Sequence, residues 1–171
     1  MNGAPGSIRD AIAARRRFLL SSHARPDGDS IGSQLALAFA LRALGKQVRL
    51  VNRDPPPAAF SVFPGVADIE VAPRVEGEFD AAIVLESSDL ARTGVEGIER
   101  AFLINIDHHP GNTGYGAINW FDPGASACGE MVFALVQALG VTLSAEIATH
   151  LYLAILTDTG GLHFSHVTSR T

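Results

Sequence analysis

The hydrophobic positions of the chain fall into short continuous runs and into longer segments with helical spacing. Three short runs that end in polar residues predict buried strands: 17–23, 79–88 and 101–109. The alternating residues 47–52 predict a further strand, and residues 68–72 predict a weak one. A weaker run at 118–123 has the pattern of an edge strand. Four longer segments predict helices: 7–16, 29–45, 126–140 and 144–160.

Strands and helices alternate through most of the chain, and this order favours an α/β fold. We predict one domain over residues 7–171, with a mostly parallel five-stranded sheet and helices on both faces of it. Residues 1–6, MNGAPG, are expected to form a flexible N-terminus. Polar residues are expected to cap the starts of three helices: Ser7, Asp29 or Ser30, and Ser144.

Polar clusters follow several of the predicted strands and the last predicted helix. The stretch HARPDGD, residues 23–29, places one histidine and two aspartates after the first strand. Glu86 ends another strand, residues 107–109 (DHH) end a third, and Asp158 lies in the turn TDTGG. Ligands of such sheets bind beyond the carboxyl ends of the strands, so we expect these clusters to meet at one rim.

The side chains expected at this rim have the composition of a metal site. They are five carboxylates and three histidines: His23, Asp27, Asp29, Glu86, Asp107, His108, His109 and Asp158. Each cluster by itself also fits an ordinary polar turn, but five neighbouring carboxylates cannot all stay ionised without cations among them. Oxygen-rich ligand sets with one or two imidazoles suit manganese, iron(II) or magnesium. The number of ligands predicts two ions and a bridging carboxylate, an arrangement that clamps a phosphate and activates a water.

The overall composition narrows the classes of partner and compartment. The 171 residues carry a formal net charge of −5 and a single cysteine, Cys128. The acidic balance argues against binding of long duplex nucleic acid, but not against a short anionic substrate held by metal ions. One cysteine excludes an internal disulfide and a multi-cysteine zinc site, which suits the cytoplasm. Neither a membrane span nor a signal peptide is expected.

Some residues outside the clusters are interpreted as structural. Cys128 begins an apolar helix with no basic neighbour, which is typical of a small buried residue rather than a nucleophile. His150 lies beside the apolar stripe of the last helix and is expected to be a packed histidine. The apolar helices between Val132 and Ile155 are also compatible with a homodimer.

Four motifs have the order and the approximate spacing of those in one enzyme superfamily. They are HARPDGDSIGS at 23–33, LESSD at 85–89, NIDHHPGN at 105–112 and LTDTGGLHF at 156–164. Over about residues 7–171 the chain resembles the DHH phosphoesterases, and in particular their NrnA-like branch of nanoRNases and phosphoadenosine-phosphate phosphatases. The connecting segments NRDPPP and ASACGEMV also look like this branch. The resemblance implies a DHH-type catalytic domain with phosphodiesterase or phosphatase activity that depends on manganese.

The resemblance also implies which residues hold the metals. One ion would be bound by His23, Asp27 and Glu86. The other would be bound by Asp29, by the same Glu86 as a bridge, and by His108 and Asp158. Magnesium, cobalt or iron(II) are alternatives to manganese in both positions.

Further residues of the motifs are implied in catalysis and substrate binding. Asp107 would orient and polarise a metal ligand, and His109 would face the substrate phosphate and stabilise its developing charge. Arg25 and Asn112 are candidates for substrate contact. His163 stands near the place where the family has a basic residue, and it is the candidate for that role.

Two features depart from the family pattern. The bridging position usually holds aspartate, whereas this chain has Glu86, whose extra methylene moves the carboxylate by about one bond length. The family also continues into a smaller C-terminal lid domain with a Gly-rich motif that binds the far part of the substrate. This chain has no such motif, so we expect the lid to be absent or to lie in a longer protein.

The function predicted from these observations is phosphoester hydrolysis by a hydroxide that two metal ions activate. The expected substrates are short oligoribonucleotides, phosphoadenosine phosphate, or linear or cyclic dinucleotides. Two alternatives stay open: an inorganic pyrophosphatase or exopolyphosphatase of the same superfamily, and a non-catalytic regulatory module that binds nucleotides. Metal stoichiometry separates the last from the enzymes, because the enzymes need two ions.

Overall fold

The computed structural model describes residues 5–171, which form four α-helices and six β-strands. The helices are α1 (Pro5–Ala13), α2 (Gly28–Ala43), α3 (Cys128–Ala138) and α4 (Ala145–Asp158). The strands are β1 (Arg17–Ser21), β2 (Gln47–Asn52), β3 (Ile69–Val71), β4 (Ala81–Leu85), β5 (Leu103–Asp107) and β6 (Ile118–Phe121). The sequence predicts a flexible N-terminus over residues 1–6, but Pro5 and Gly6 belong to the first turn of α1. The rest of that segment lies outside the described residues.

All strand pairs in the sheet are parallel, in the order β3-β2-β1-β4-β5-β6. The α/β fold and the parallel sheet predicted from the sequence are therefore confirmed. The sheet has six strands rather than five, because Ile118–Phe121 pairs with β5 through Ile104 and Ile118. β4 is buried at all five positions, as its continuous apolar run requires of a central parallel strand.

The order of the strands reverses direction beside β1, and this places the functional rim. From β1 the chain moves to β2 and β3 on one side, then crosses back to β4 on the other. The carboxyl ends of β1 and β4 therefore flank the switch point, where α/β sheets bind their ligands. The cluster at 23–29 follows β1, and Glu86 follows β4.

The two faces of the sheet are covered in different ways. All four α-helices pack in one large hydrophobic cluster with the inward residues of one face, among them Phe18, Leu20 and Ile83. The opposite face, with Leu19 and Val84, is covered by loops and the short 3-10 helices Leu90–Thr93 and Ile98–Arg100. Helices cover both faces, as predicted. They are α-helices on one face and short 3-10 helices on the other.

Glycines allow α2 and α3 to approach α4 closely. A Cβ atom on Gly32 of α2 would lie 2.5 Å from the carbonyl oxygen of His150, and one on Gly129 of α3 would lie 2.6 Å from Cβ of Ala154. A Cβ atom on Gly28 would meet the side chain of Thr157 at 2.5 Å. This packing holds the C-terminal end of α4 against the N-terminal ends of α2 and α3, where the polar clusters lie.

The helix caps only partly follow the sequence expectation. Ser144 caps α4 through its side chain, as predicted. Asp27, rather than Asp29 or Ser30, caps α2, so Asp29 lies in the first turn of the helix. Ser7 lies inside α1, which begins two residues earlier.

The apolar stripes of α3 and α4 are used within the chain. Val132, Leu135, Ile147 and Leu151 are buried in the main hydrophobic cluster, so these side chains stabilise the domain itself, and the homodimer that the sequence allows stays a prediction. Within residues 5–171, no helix combines the length and the apolar character needed to cross a membrane.

Candidate metal centre

The loop between β1 and α2 brings two of the predicted ligands, His23 and Asp27, to the rim. Asp27 accepts a hydrogen bond from the backbone N–H of Ser30 at 2.9 Å, which fixes the loop to the start of α2. His23 Nδ1 lies 2.8 Å from the carbonyl oxygen of Ala24, so a neutral ring with its proton on Nδ1 donates there and leaves Nε2 as a ligand. His23 Nε2 lies 3.7 Å from Asp27 Oδ2 and 2.7 Å from Ser30 Oγ.

The carboxylate of Asp29 is fully buried and is held by three donors. The backbone N–H groups of Cys128 and Gly129 donate to it at 2.6 and 3.0 Å, and Ser33 Oγ donates at 2.7 Å. The two amides belong to the N-terminus of α3, whose preceding residue, Ala127, provides no side-chain cap. Asp29 therefore supplies from α2 the acceptor that the start of α3 lacks.

Glu86 lies directly after β4 in a left-handed backbone conformation, with φ of 57°. Its side chain is 1% exposed. Oε1 lies 3.2 Å from His108 Nε2, yet it accepts no well-aligned hydrogen bond from the described residues. Non-glycine residues adopt this conformation rarely, and a buried carboxylate oxygen without a hydrogen bond is costly. Both observations point to a ligand that Glu86 binds.

The DHH residues begin at the last position of β5, and their side chains lie close to the other clusters. His108 Nδ1 lies 3.0 Å from the carbonyl oxygen of Ala125, which leaves Nε2 facing Glu86. His108 Nε2 also lies 3.5 Å from Asp158 Oδ2 and 4.0 Å from Asp29 Oδ2. One imidazole nitrogen thus meets carboxylates from α2, the end of β4 and the end of α4.

Asp107 and His109 form a pair beside the ligand groups. His109 Nδ1 lies 2.9 Å from Asp107 Oδ1 and 3.8 Å from Glu86 Oε2. Asp107 Oδ2 accepts a hydrogen bond from Asn112 Nδ2 at 2.6 Å. The carboxylate is buried and fixed on both sides, so it orients the ring of His109, whose other nitrogen, Nε2, is left for a ligand.

Three overlapping sets of side chains have donor atoms within 4.8 Å of one another: His23, Asp27 and Glu86; Asp29, His108 and Asp158; and Glu86, His108 and His109. Glu86 and His108 each belong to two of these sets. The six residues predicted as metal ligands therefore converge, as does His109.

Charge crowding in the centre shows in the pKa values of its groups. Burial, followed by the charge of Glu86, raises the pKa of Asp29 well above its usual range. Burial also raises the pKa of Asp158, which the neighbouring His108 only partly offsets. Burial disfavours the charged form of His108, but Glu86 and Asp29 outweigh it and raise the pKa of this histidine to about 10. Positive charge, whether a proton or a cation, is therefore favoured among these carboxylates.

The residues present fit a site for divalent cations. Carboxylate oxygens dominate the donor set, and two imidazole nitrogens complete it, which matches manganese, magnesium or iron(II) better than soft metals. Cys128 is buried beneath the centre, and burial raises the pKa of its thiol well above the usual value, so it is no thiolate ligand. Cations at this position would also satisfy Oε1 of Glu86 and relieve the repulsion among the carboxylates.

The comparison with known families matches this arrangement. The sequence pattern described as the DHH family, N-terminal domain, matches residues 17–155, which is most of the chain. The chain belongs to the DHH family. The match includes every residue of the centre except Asp158, which lies just beyond its end.

Relatives of this DHH chain include two curated bacterial proteins, each named bifunctional oligoribonuclease and PAP phosphatase NrnA. The one from Thermus thermophilus is 39% identical over 151 residues, covering 87% of this chain and 45% of that protein. The one from Bacillus subtilis is 29% identical over 158 residues, covering 90% of this chain and 50% of that protein. The DHH chain thus spans about half the length of the curated relatives it matches.

A solved structure of an exopolyphosphatase-related protein from Bacteroides fragilis has the same fold. It superposes with a TM-score of 0.89 at 25% identity, covering 96% of this DHH chain and 52% of that one. The resemblance to the DHH phosphoesterases and to their NrnA-like branch, predicted from the motifs, is therefore confirmed.

Three residues predicted to contact substrate lie apart from the ligand sets. His163 is exposed, and its Nδ1 lies 2.9 Å from the carbonyl oxygen of Gly161 in its own turn. Asn112 donates to Asp107 and to Asn105 Oδ1, and it accepts from Gly114, so its amide serves the DHH loop itself. Arg25 lies at the rim with its side chain exposed.

The structure also adds residues that the motifs did not indicate. Asn105, buried in β5, donates to Tyr115 Oη at 2.8 Å and accepts from Asn112. It therefore fixes Asn112, which donates to Asp107, which in turn orients His109. Arg92 lines the same cavity as Arg25. Asn105 is inside the NIDHHPGN motif and its polarity within an apolar strand could have indicated it, whereas nothing in the sequence around Arg92 indicates its position.

Proposed function

We propose that this chain is the metal-binding catalytic half of a phosphoesterase that hydrolyses short oligoribonucleotides and phosphoadenosine phosphate with two divalent cations, manganese first among them. The observation that carries the proposal is the position of Glu86. Its buried carboxylate belongs to two ligand sets and lies at the switch point of the sheet. A carboxylate shared in this way is what a pair of cations requires.

The ligand sets suggest how the residues divide between the two cations. His23, Asp27 and Glu86 would hold one ion, and Asp29, His108 and Asp158 would hold the other. Glu86 would bridge to the second ion, because its Oε1 lies 3.2 Å from His108 Nε2. When bound, such a pair lowers the pKa of a water and binds the phosphate oxygens. Asp29 keeps its hydrogen bonds from α3, which fix its carboxylate in place for this role.

His109 would act on the substrate rather than on the metals. Asp107 holds its Nδ1 at 2.9 Å, so Nε2 is directed away from Asp107 and can donate to a phosphate oxygen. A donor placed in advance stabilises the negative charge that develops as the phosphorus–oxygen bond breaks. The acidic net charge of the chain suits short substrates, and we propose a cytoplasmic location for the protein.

The proposal is tested by manganese content and by turnover of a diadenosine ribonucleotide and of phosphoadenosine phosphate. We expect two manganese ions per chain and manganese-dependent hydrolysis. Asp29→Ala removes a buried ligand and should lower kcat by about 100-fold or more, as losses of metal-site groups typically do. Glu86→Asp restores the family's usual residue and should retain or raise activity.

A matched control and two contrary outcomes complete the test. Glu76→Gln changes an exposed carboxylate far from the centre and should leave both measurements unchanged. Two bound ions without turnover of either substrate would overturn the proposal. One ion or none, also without turnover, would instead favour a non-catalytic module that binds nucleotides.

An inorganic pyrophosphatase or exopolyphosphatase is the second candidate. It is favoured by the solved structure named exopolyphosphatase-related, with its TM-score of 0.89. Inorganic pyrophosphate and polyphosphate should therefore be assayed with the same preparation. A kcat/KM for either that exceeds the value for the dinucleotide would favour this candidate.

A further inference from the structure

An open cavity of about 470 Å³ adjoins the metal centre on the side of His23. His23, Ala24, Arg25 and Arg92 line it. Because His23 also belongs to the ligand set with Asp27 and Glu86, the cavity and one half of the metal centre share a wall. A molecule whose phosphoryl group lies at the metals would extend into this cavity.

Two backbone hydrogen bonds and one side-chain hydrogen bond hold the two arginines of the cavity in place. The N–H of Ala24 donates to the carbonyl oxygen of Arg92 at 2.7 Å, which joins the loop after β1 to the 3-10 turn after β4. The N–H of Arg25 donates to Asp54 Oδ2 at 2.8 Å. The backbone of Arg25 is left-handed, with φ of 56°. Nη1 of Arg92 donates to Ser88 Oγ at 3.1 Å.

The charges of these arginines are not neutralised by the protein. Across residues 5–171, no carboxylate oxygen lies within 4.0 Å of the guanidinium of Arg25 or Arg92. Seven other arginines have such a partner: Arg9, Arg17, Arg42, Arg49, Arg74, Arg100 and Arg170. In a chain with a net charge of −5, two unpaired guanidinium groups at one cavity are available for an anion.

We propose that Arg25 and Arg92 form a subsite for a second phosphate of the substrate, distinct from the phosphoryl group that is hydrolysed. The inference rests on the proposed function, because it assumes a phosphoester at the metals. Guanidinium groups bind phosphate through paired, charge-assisted hydrogen bonds. The subsite selects short nucleotides that carry a terminal phosphate next to the scissile bond, over the same nucleotides without it.

The test compares two dinucleotides that differ in one group, diadenosine ribonucleotide with and without a 5′-phosphate. We expect the wild-type chain with manganese to prefer the phosphorylated dinucleotide by about 10- to 100-fold in kcat/KM, the range for hydrogen bonds to charged groups. Arg92→Ala and Arg25→Gly should each lose most of this preference, and Arg92→Ala should leave the kcat/KM for the unphosphorylated dinucleotide within about threefold. Glycine suits the left-handed conformation at position 25, so the second variant adds no backbone strain.

Two further variants separate the subsite from general effects. Arg100→Ala removes an exposed arginine of the next 3-10 turn and should keep the full preference. Arg92→Lys keeps the charge but not the paired donors, and it should retain an intermediate preference. Equal losses for both dinucleotides in Arg92→Ala and Arg25→Gly would overturn the subsite, and so would an unchanged preference.

Equilibrium binding of the same dinucleotides distinguishes failure of the subsite from failure of the proposed function. If the wild type cleaves neither dinucleotide but binds the phosphorylated one tenfold more tightly, and Arg92→Ala abolishes that difference, the subsite stands and the proposed function fails. If the wild type cleaves both with equal kcat/KM and binds them equally, the proposed function stands and the subsite is overturned.

Discussion

Individual residues show where the chain departs from what packing alone would favour. Glu86 combines a left-handed backbone with a buried carboxylate whose Oε1 lacks a hydrogen bond. Such a combination costs stability and persists only where the surrounding structure imposes it. The neighbouring side chains of His108 and His109 lie close enough to Glu86 to share a ligand with it.

His150 is a second buried ionisable residue, and it lies away from the metal centre. It is fully buried on α4, Nδ1 lies 2.7 Å from the carbonyl oxygen of Glu146, and the ring stacks on Phe39 at 5.5 Å. Burial lowers the pKa of His150, and the carbonyl and the charge of Glu146 offset this only in part. The expected packed histidine is confirmed.

The lowered pKa of His150 predicts a loss of stability in acid. Between its folded and unfolded pKa values the unfolded chain binds more protons, so the free energy of unfolding falls as the pH drops through about 6.5. Wild type should therefore lose stability relative to His150→Leu between pH 7.5 and 5.5 in urea titrations with EDTA present. A difference between the two proteins that does not change with pH would contradict this account.

Most of the metal centre could be predicted from residues in the motifs, because each motif follows a strand or ends a helix. His23, Asp27, Asp29, Glu86, His108 and Asp158 do converge. Arg92 could not be found in this way, because its place depends on a backbone contact with Ala24, 68 positions away along the chain. The sequence pattern contains no trace of such a contact.

At the scale of elements, the close approach of α2 to α4 governs the geometry of the rim. Gly32 faces the carbonyl oxygen of His150, and a Cβ atom there would lie 2.5 Å from it. The atom in the way is backbone, so it can move only if α4 moves. Asp158 at the end of α4 would then shift relative to Asp29.

Gly32→Ala is therefore expected to destabilise the fold. Overpacking of this kind costs about 1–3 kcal/mol, which lowers Tm by about 2–10 °C in a domain of this size. Thermal unfolding followed by circular dichroism measures the change. Gly6→Ala in α1, where a Cβ atom meets nothing within 4 Å, is the control and should leave Tm unchanged or slightly raised. Equal Tm values for Gly32→Ala and wild type would show that α4 yields without cost.

The limits of element prediction have a physical cause as well. Continuous apolar runs such as AAIVL in β4 are unambiguous, because a strand buried on both faces needs them. β6 has a weaker sequence pattern because all four of its residues are only half-buried at the sheet edge. The 3-10 turns at 90–93 and 98–100 are too short to show a helical period.

For the whole molecule, the crowded carboxylates predict that cations stabilise the fold. At 100 times its Kd, a ligand adds about 2.7 kcal/mol, which corresponds to a rise in Tm of about 5–10 °C. We expect manganese to produce such a rise in wild type and in Glu76→Gln, but not in Asp29→Ala. A rise in Asp29→Ala equal to that of wild type would place the stabilising ion elsewhere.

The same centre fixes the sign of the pH dependence. Because burial and Glu86 raise the folded pKa of Asp29, and burial raises that of Asp158, the metal-free fold takes up protons there and loses stability as the pH rises. Manganese competes with those protons, so its effect on Tm should be larger at pH 7.5 than at pH 5.5. A series of thermal melts with and without manganese measures it, and a larger effect at pH 5.5 would contradict the account.

The unequal covering of the two sheet faces has a consequence for how such a protein can change over time. The four α-helices on one face contribute most of the core and anchor Asp29 and Asp158. The other face is covered by short turns, and one of them places Arg92 at the cavity. Loops tolerate substitution and insertion better than the elements they connect. Selection can therefore change ligand preference through the face that short turns cover, while the face that the α-helices cover maintains folding and metal binding.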